Sequence, residues 1–582
     1  MLTKLTVRNF KRFVDADIQL DKSVVLIGPN NSGKTTALQA LALWELGLRR
    51  WTEKRQGKSI AKQRQGVAIN RRDLVALPIP TANLLWRHLK VRNVDRLEDK
   101  KPKTQNIRID ILVEGISEGK AWSCGLEFDY ANEESFYCRP LRLEEGDKPE
   151  RMEIPELATR VRVALLPPMS GLADREFIKQ PGEIGVLVGQ GQTAQVLRNL
   201  CYRVCFPSEE AIKPSDDWKE LTGQIDRLFG VKLQLPKFIA ERSEIVMFYE
   251  EKSGTRLDLS SSGRGFQQTL LILAHLYANP RTVLLLDEPD AHLEVLRQRQ
   301  TYQLITDLAE QKGSQIIAAS HSEVVLAEAA NRGMVVAFVG KPHTLNDNRN
   351  SQVMKALTDL GWDQYYEAEQ TGWVLYVEDS TDLAILKAFA KILGHPAELK
   401  LDRPFVHYVA TNLPQRSRDH FNGLREAKND LVGLAIFDRL ERELQSSPHL
   451  NEIMWKKREI ENYFCKKEIL MQWAVHDIPD DVFGLSERLL HQQAMEKAIE
   501  DVGHLLEIDE KSPWSSDVKA SDEVLDRIFR LFFKELGLPL TFRKRDYHLL
   551  TGFLSKDDIE TEVIEKLNAI VETANRAKPC SE

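Results

Sequence analysis

A chain of 582 residues exceeds what one hydrophobic core can organise and predicts roughly three or four domains. Its 42% hydrophobic and 29% charged content is that of a globular protein rather than a membrane-embedded or disordered one. The net charge of −7 excludes a uniformly basic surface, although a local groove can still be positive.

The opening residues alternate apolar and polar as a strand does, without the apolar run and cleavage site of a signal peptide. The longest apolar runs, at 283–286 and 316–319, are far too short to span a bilayer. A cytoplasmic location is the expectation. The six cysteines (Cys124, Cys138, Cys201, Cys205, Cys465, Cys580) are scattered. Cys201 and Cys205 could share a helix face, but with no second pair they read as small buried hydrophobes rather than a zinc site.

Ser23–Ile27 is β-rich and ends at Gly28, and 35–48 has helical spacing. From 50 to 75 the chain is basic and glutamine-rich, which fits a solvated helix or loop or, alternatively, a phosphate-contacting arm. Strand patterns follow at 107–114 and 121–129, a helix at 187–206, a loop at 207–220, and strands at 232–238 and 245–249. Val283–Asp287 and Gln315–Ala319 read as buried strands. After a polar loop at 341–351 come the strand Trp373–Val377, a helix at 381–393, a strand at 434–437 and a largely helical tail from 480. No heptad run is long enough for an extended coiled coil.

Gly28-Pro29-Asn30-Asn31-Ser32-Gly33-Lys34-Thr35-Thr36 fits the P-loop pattern in full, directly after a strand and before a helix. In that context the loop N–H groups cradle phosphates, Lys34 reaches the β- and γ-phosphates, and Thr35 offers its hydroxyl to Mg²⁺. Val283–Asp287 then delivers Asp287 towards the same ion, and Glu288 can polarise the attacking water.

Between these segments lies Ser261-Ser262-Gly263-Arg264-Gly265-Phe266-Gln267-Gln268, and Ser320-His321-Ser322 follows the next strand. This order resembles the ABC-type ATPases: P-loop, signature, Walker B, D-loop at 290–294, switch histidine. The signature is similar to the Ser-x-Gly-x-Gln variant of soluble members related to the OLD nucleases. The resemblance implies that Ser262, Gly263, Gly265 and Gln268 bind the γ-phosphate held by a second subunit. ATP would then be sandwiched in a head-to-tail homodimer or higher oligomer, with His321 as γ-phosphate sensor. No glutamine matches the Q-loop. Transport is disfavoured, because the chain has no membrane segment of its own.

Two further strands end in acids: Glu378, with Asp382 four residues on, and Asp438. Arg458-Glu459-Ile460-Glu461-Asn462-Tyr463 follows. Neighbouring parallel strands place their C-terminal ends on one edge, so Glu378 and Asp438 could flank Mg²⁺ or Mn²⁺ and activate water against a phosphodiester. The pattern resembles the Toprim domain of OLD-family ATPase-nucleases, which include Gabija-type phage-defence nucleases. That resemblance implies Glu378, Asp382, Asp438 and Glu461 (less surely Glu459) as metal ligands or their supports, and Lys544 as the lysine facing the scissile phosphate. Two positions depart from the family pattern: Asp379 replaces a glycine, and Leu440 stands where a second acid belongs, with Glu441 one residue on.

The expected architecture is α/β: an ABC-type ATPase unit over 1–345 with a helical, dimerising insertion at about 140–230, a linker over 346–371, and a Toprim-like unit with a helical tail over 372–582. The implied function is an ATP-gated, Mg²⁺-dependent DNA endonuclease in bacterial anti-phage defence, with an accessory helicase or toxin as partner. The alternative is an ATPase sensor or scaffold with a degenerate Toprim domain that holds and releases an effector. A repair-type DNA tether is disfavoured by the missing coiled coil.

Overall fold

A computed structural model describes residues 1–55, 66–70, 74, 77, 79–95, 103–143, 150–169, 171–189, 192–208, 211, 213–345, 361–441, 443–445, 447–481 and 484–579. The chain divides into two compact units, Met1–Met354 and Lys355–Glu582. Much of the basic stretch at 50–75, and Cys580, lie outside the described residues; the other five cysteines are buried free thiols. No helix among the described residues is long and apolar enough to cross a membrane.

Two six-stranded sheets build the first unit. One is antiparallel, in the order Phe13–Gln19, Leu2–Phe10, Arg108–Ser117, Lys120–Asn132, Ser135–Pro140, Val67–Asn70. The other runs Val163–Leu166, Val283–Asp287, Gln315–Ala319, Ser23–Ile27, Met334–Ala337, His343–Thr344, and is parallel except at its last pair. Its central strands are apolar along almost their whole length, as a sheet covered on both faces requires. The helix Lys34–Arg55 packs against residues of both sheets through Leu38, Leu41, Leu43 and Trp44.

Strand order decides the chemistry here. Gln315–Ala319 lies between the strand leading to Gly28 and the strand ending at Asp287. The P-loop, the two acids and the residues after Ala319 therefore emerge along one edge.

The segment expected as a helical insertion is not wholly one. Val163–Leu166 is the edge strand of the parallel sheet, paired with Val283–Asp287. Four residues before Pro167 are too few for a readable period. The longer helices of this region among the described residues are Pro181–Gly189, Leu197–Cys205 and Asp216–Phe229.

The second unit holds a parallel four-stranded sheet in the order Val406–Tyr408, Trp373–Val377, Val432–Phe437, Leu450–Met454. Both central strands are buried at every position. One apolar cluster gathers the tail helices Leu485–Glu507, Asp526–Glu535 and Thr561–Arg576, and a smaller one takes in the helix Pro414–Ala427. Of the segment expected as a linker, 346–360 lie outside the described residues, whereas Trp362–Thr371 is a helix. It closes at Gly372, whose φ of 70° and tight approach to the Lys578 backbone both require glycine.

In the antiparallel sheet the fully buried Glu127 meets Arg139 at 2.6 Å, Arg142 at 2.9 Å and Arg151 at 3.0 Å. Burial pushes its carboxyl up, but the surrounding guanidinium groups outweigh that and hold it below its ordinary value. Glu127→Ala removes the buried carboxylate these cations share, so chemical denaturation should show a loss of about 3 kcal/mol.

Candidate functional site

The P-loop is tight enough to demand its glycines. A Cβ at Gly28 would lie 2.6 Å from Ser32 Oγ and 2.8 Å from the Phe338 carbonyl, and one at Gly33 (φ 109°) would lie 2.9 Å from Arg12. Lys34 is buried and donates to the carbonyls of Gly28 (2.6 Å) and Pro29 (2.9 Å). Burial lowers its pKa to about 8, against the opposing pull of Glu288 and Asp287. Thr35 Oγ1 donates to Asp287 Oδ1 at 3.0 Å, which sets the hydroxyl beside the carboxylate.

A cavity of about 470 Å³ is lined by Asn30, Asn31, Ser32, Gly33, Lys34, Thr35 and Thr36, with Asp287, Glu288 and His321 opposite. Ser32 Oγ is buried with no partner among the described residues, an unsatisfied donor in a loop built for phosphate. This cavity, donor set and acid pair fit a nucleotide and Mg²⁺.

Glu288 sits at φ 49°, a conformation uncommon for a non-glycine residue, and lies 3.7 Å from His321 Nε2. Burial, and then Lys34, lower the pKa of His321, favouring the neutral imidazole. Ser320 Oγ donates to Asp290 at 2.7 Å and ties the switch segment to the turn after Glu288.

Ser262, Gly263 and Gly265 lie at the start of the helix Arg264–Ala278, and none of them lines the P-loop cavity. A Cβ on Gly265 would meet the His292 carbonyl at 2.6 Å, so the signature helix abuts the 290–294 turn. Gln268 does not present itself to a ligand as expected. It is buried, and its Oε1 accepts from Met169 N at 2.8 Å. Gln267 is the one that braces the signature, donating to the Ser262 carbonyl at 2.9 Å.

Lys11 and Arg12, which line the nucleotide cavity, were missed in the sequence. Two consecutive cations in the turn between the first two strands were the available signal.

In the second unit, Glu378 follows Trp373–Val377 and Asp438 follows Val432–Phe437. Because Tyr376 pairs with Ala435, the two acids stand side by side. Burial, then Asp382, Glu459 and Glu378, push the Asp438 carboxyl far above its ordinary value. Glu461 is buried and raised likewise, by burial and then by Glu459 and Asp382, and its Oε1 has no partner among the described residues.

Asp382 acts here as a support. Its Oδ2 accepts from Glu378 N (2.9 Å) and Asp379 N (3.3 Å), closing a capping box on the helix Ser380–Leu393. Burial and the neighbouring Asp379 raise its pKa to about 7. Lys544 lies 3.7 Å from Asp379, and its pKa is raised because Glu461, Asp379, Glu459 and Asp382 together outweigh the effect of burial. Lys519, not anticipated from the sequence, also feels Glu459.

Leu440 packs against the smaller apolar cluster, and Glu441 is exposed, so neither supplies the missing acid.

Among the described residues no group of three or more His, Cys, Asp or Glu side chains is arranged to hold a metal ion. The expected cage of Glu378, Asp382, Asp438 and Glu461 is thus not formed around one point, since Asp382 is engaged with backbone N–H groups. Mg²⁺ usually keeps several waters and takes one or two carboxylates. The adjacent Glu378 and Asp438 fit that mode.

Residues 1–54 match the family model described as "AAA ATPase domain", and 208–327 match "AAA domain, putative AbiEii toxin, Type IV TA system". The first match contains the P-loop; the second contains the signature, Asp287, Glu288 and His321. The first unit thus carries an ATPase domain of the AAA type. No curated protein matches the sequence. Similar solved structures include the SMC head domain from Thermotoga maritima (16% identity, 59% of this chain and 97% of that one, TM-score 0.31). Another is an Smc head domain bound to the C-terminal domain of ScpA from Pyrococcus furiosus (14% identity, 61% and 99%, TM-score 0.34).

The acid cluster makes a pH prediction. A carboxyl raised in the folded state is protonated there while its unfolded counterpart ionises, so stability falls as pH rises from about 4, the ordinary carboxylate value, through about 7 for Asp382. In chelator-treated protein the second unit should melt at lower temperature at pH 8 than at pH 5. Asp438→Asn should flatten that slope, and Mg²⁺ should raise the melting temperature more at the higher pH.

Proposed function

We propose that the protein hydrolyses ATP in the first unit and, in the second, uses divalent-cation-dependent carboxylates to cut DNA phosphodiesters under nucleotide control. The observation that carries the second half is the acid-rich edge of a parallel sheet facing Lys544. The ordered likeness of its motifs to OLD-family Toprim nucleases adds the substrate and the role in anti-phage defence.

In the ATPase half, Lys34 and the loop N–H groups bind the phosphates, and Thr35 with Asp287 holds Mg²⁺. Glu288 accepts the proton of the attacking water, and neutral His321 can hydrogen-bond the γ-phosphate. Ser262 and Gly263, standing apart from this cavity, are free to close over the nucleotide of a second copy. That supports head-to-tail pairing.

In the second half, Glu378 and Asp438, with Glu461 nearby, would hold Mg²⁺ (Mn²⁺ as substitute), which when bound would supply water activation. Lys544 and Lys519 neutralise the phosphate, and Asp382 keeps the Glu378 backbone in place.

Glu288→Gln should slow ATP turnover by about 100-fold or more while preserving ATP binding, and Lys34→Ala should lose binding itself. Both are read by a phosphate-release assay and nucleotide titration.

Purified protein should nick supercoiled plasmid with Mg²⁺ or Mn²⁺, and Glu378→Ala and Asp438→Ala should each reduce nicking more than about 100-fold. Failure to cleave under every nucleotide and metal condition would overturn the nuclease reading. It would favour an ATPase scaffold that holds and releases an effector, a reading that Leu440 and the unformed cage support.

A further inference from the structure

The first unit contains a second cavity, of about 640 Å³, which shares no lining residue with the nucleotide cavity. That volume is in the range of small-molecule sites. Its wall is cationic: Arg49, Arg50, Arg162 and Arg203 line it, against Glu45 as the sole acid.

Arg50 pairs with Glu53 at 3.4 Å, whereas Arg162 and Arg203 have no carboxylate in hydrogen-bond reach among the described residues. Glu45 engages Arg49 at 3.6 Å, and Arg162 donates only to the carbonyls of Thr159 (3.1 Å) and Val161 (3.4 Å). The Arg203 guanidinium makes no ion pair or hydrogen bond with any described residue.

His275, only 4% exposed, also lines the cavity, and its Nδ1 has no partner among the described residues. An unsatisfied buried ring nitrogen beside a half-buried, unpaired guanidinium is costly unless something satisfies both.

The remaining wall is apolar, formed by Leu46, Leu165 and Ile184 among others. The helix Pro181–Gly189 contributes Gly182 and Gly185, and at both an added Cβ would meet nothing within 4 Å, so this wall opens on free space.

We infer that this cavity is a second ligand site, distinct from the P-loop, for a phosphate-bearing small molecule of nucleotide size whose apolar body lies against the aliphatic wall. Guanidinium forks match the oxygen geometry of phosphate and carboxylate alike. The spread of several arginines around the cavity suits a multiply charged phosphate. Its position gives it reach, because Arg49 and Arg50 belong to the helix that begins at Lys34, whereas His275 belongs to the helix that begins at the signature. A bound anion would bridge the far ends of the two helices whose near ends handle ATP.

Titration calorimetry on the full chain tests this, with adenosine 5′-monophosphate and pyrophosphate as probes and citrate as the carboxylate control. Binding should persist in Lys34→Ala, weaken at least roughly tenfold (about 1.4 kcal/mol) in Arg203→Gln and Arg162→Gln, and vanish in Gly185→Leu. Gly185→Leu fills the cavity from a helical position with open space, so it tests the site even if Arg203→Gln misfolds. Three results would each overturn the inference: no binding of either phosphate probe to Lys34→Ala, binding indifferent to Arg203→Gln and Gly185→Leu, or tighter binding of citrate than of both phosphates.

Discussion

Like charges gathered in a low-dielectric edge must be neutralised by protons, by fixed cations or by a ligand, and both acid-bearing edges of this protein are organised around that constraint. Parallel strands deliver their terminal residues to one side of a sheet, and burial makes each ionised group there expensive. At the P-loop the balance is nearly closed within the chain: buried Lys34 faces Asp287 and Glu288, and burial outweighs their pull to bring its ammonium down to about 8. At the second edge the balance is open. Asp438, Glu459 and Glu461 are all raised together, with Lys544 and Lys519 as the opposing charges. At this edge burial and neighbouring acids favour the protonated carboxyls.

Coupling inside the ATPase unit runs through close backbone approaches rather than long side chains. Gly265 lets the signature helix touch the His292 carbonyl, Glu288 is held at positive φ by its bond to the Ala319 carbonyl, and Ser320 grips Asp290. The segments around Gly265, Glu288–His292 and Ser320 therefore lie in mutual contact.

The motifs that use backbone geometry were the most legible in the sequence. A glycine-rich loop between strand and helix, and apolar strands ending in acids, state their context in their own spacing, and Gly28–Thr36, Asp287, Glu378 and Asp438 fell where that context put them. What could not be read was orientation around a helix start. Gln267 and Gln268 are adjacent and both buried, and only the packing decides that one braces Ser262 while the other meets Met169. Short strands were also lost: Val163–Leu166 and Leu450–Met454 owe their existence to long parallel strands that recruit them, a tertiary effect outside any local window. The arginine cavity was illegible for a related reason, since its cations come from three segments distant in sequence, around 50, 162 and 203.

The two departures at the second edge are best understood as a pair. Leu440 removes a carboxylate and turns into the apolar cluster beside Phe437, while Asp379 adds one where a glycine was expected. The exchange keeps the number of acids but moves a charge from beside Asp438 to the helix cap. There it is held ionised, against the cost of its burial, by hydrogen bonds from Thr381 and by Lys544. Lys544 is thereby held at this edge by Asp379 at 3.7 Å and by the field of Glu461, Glu459 and Asp382.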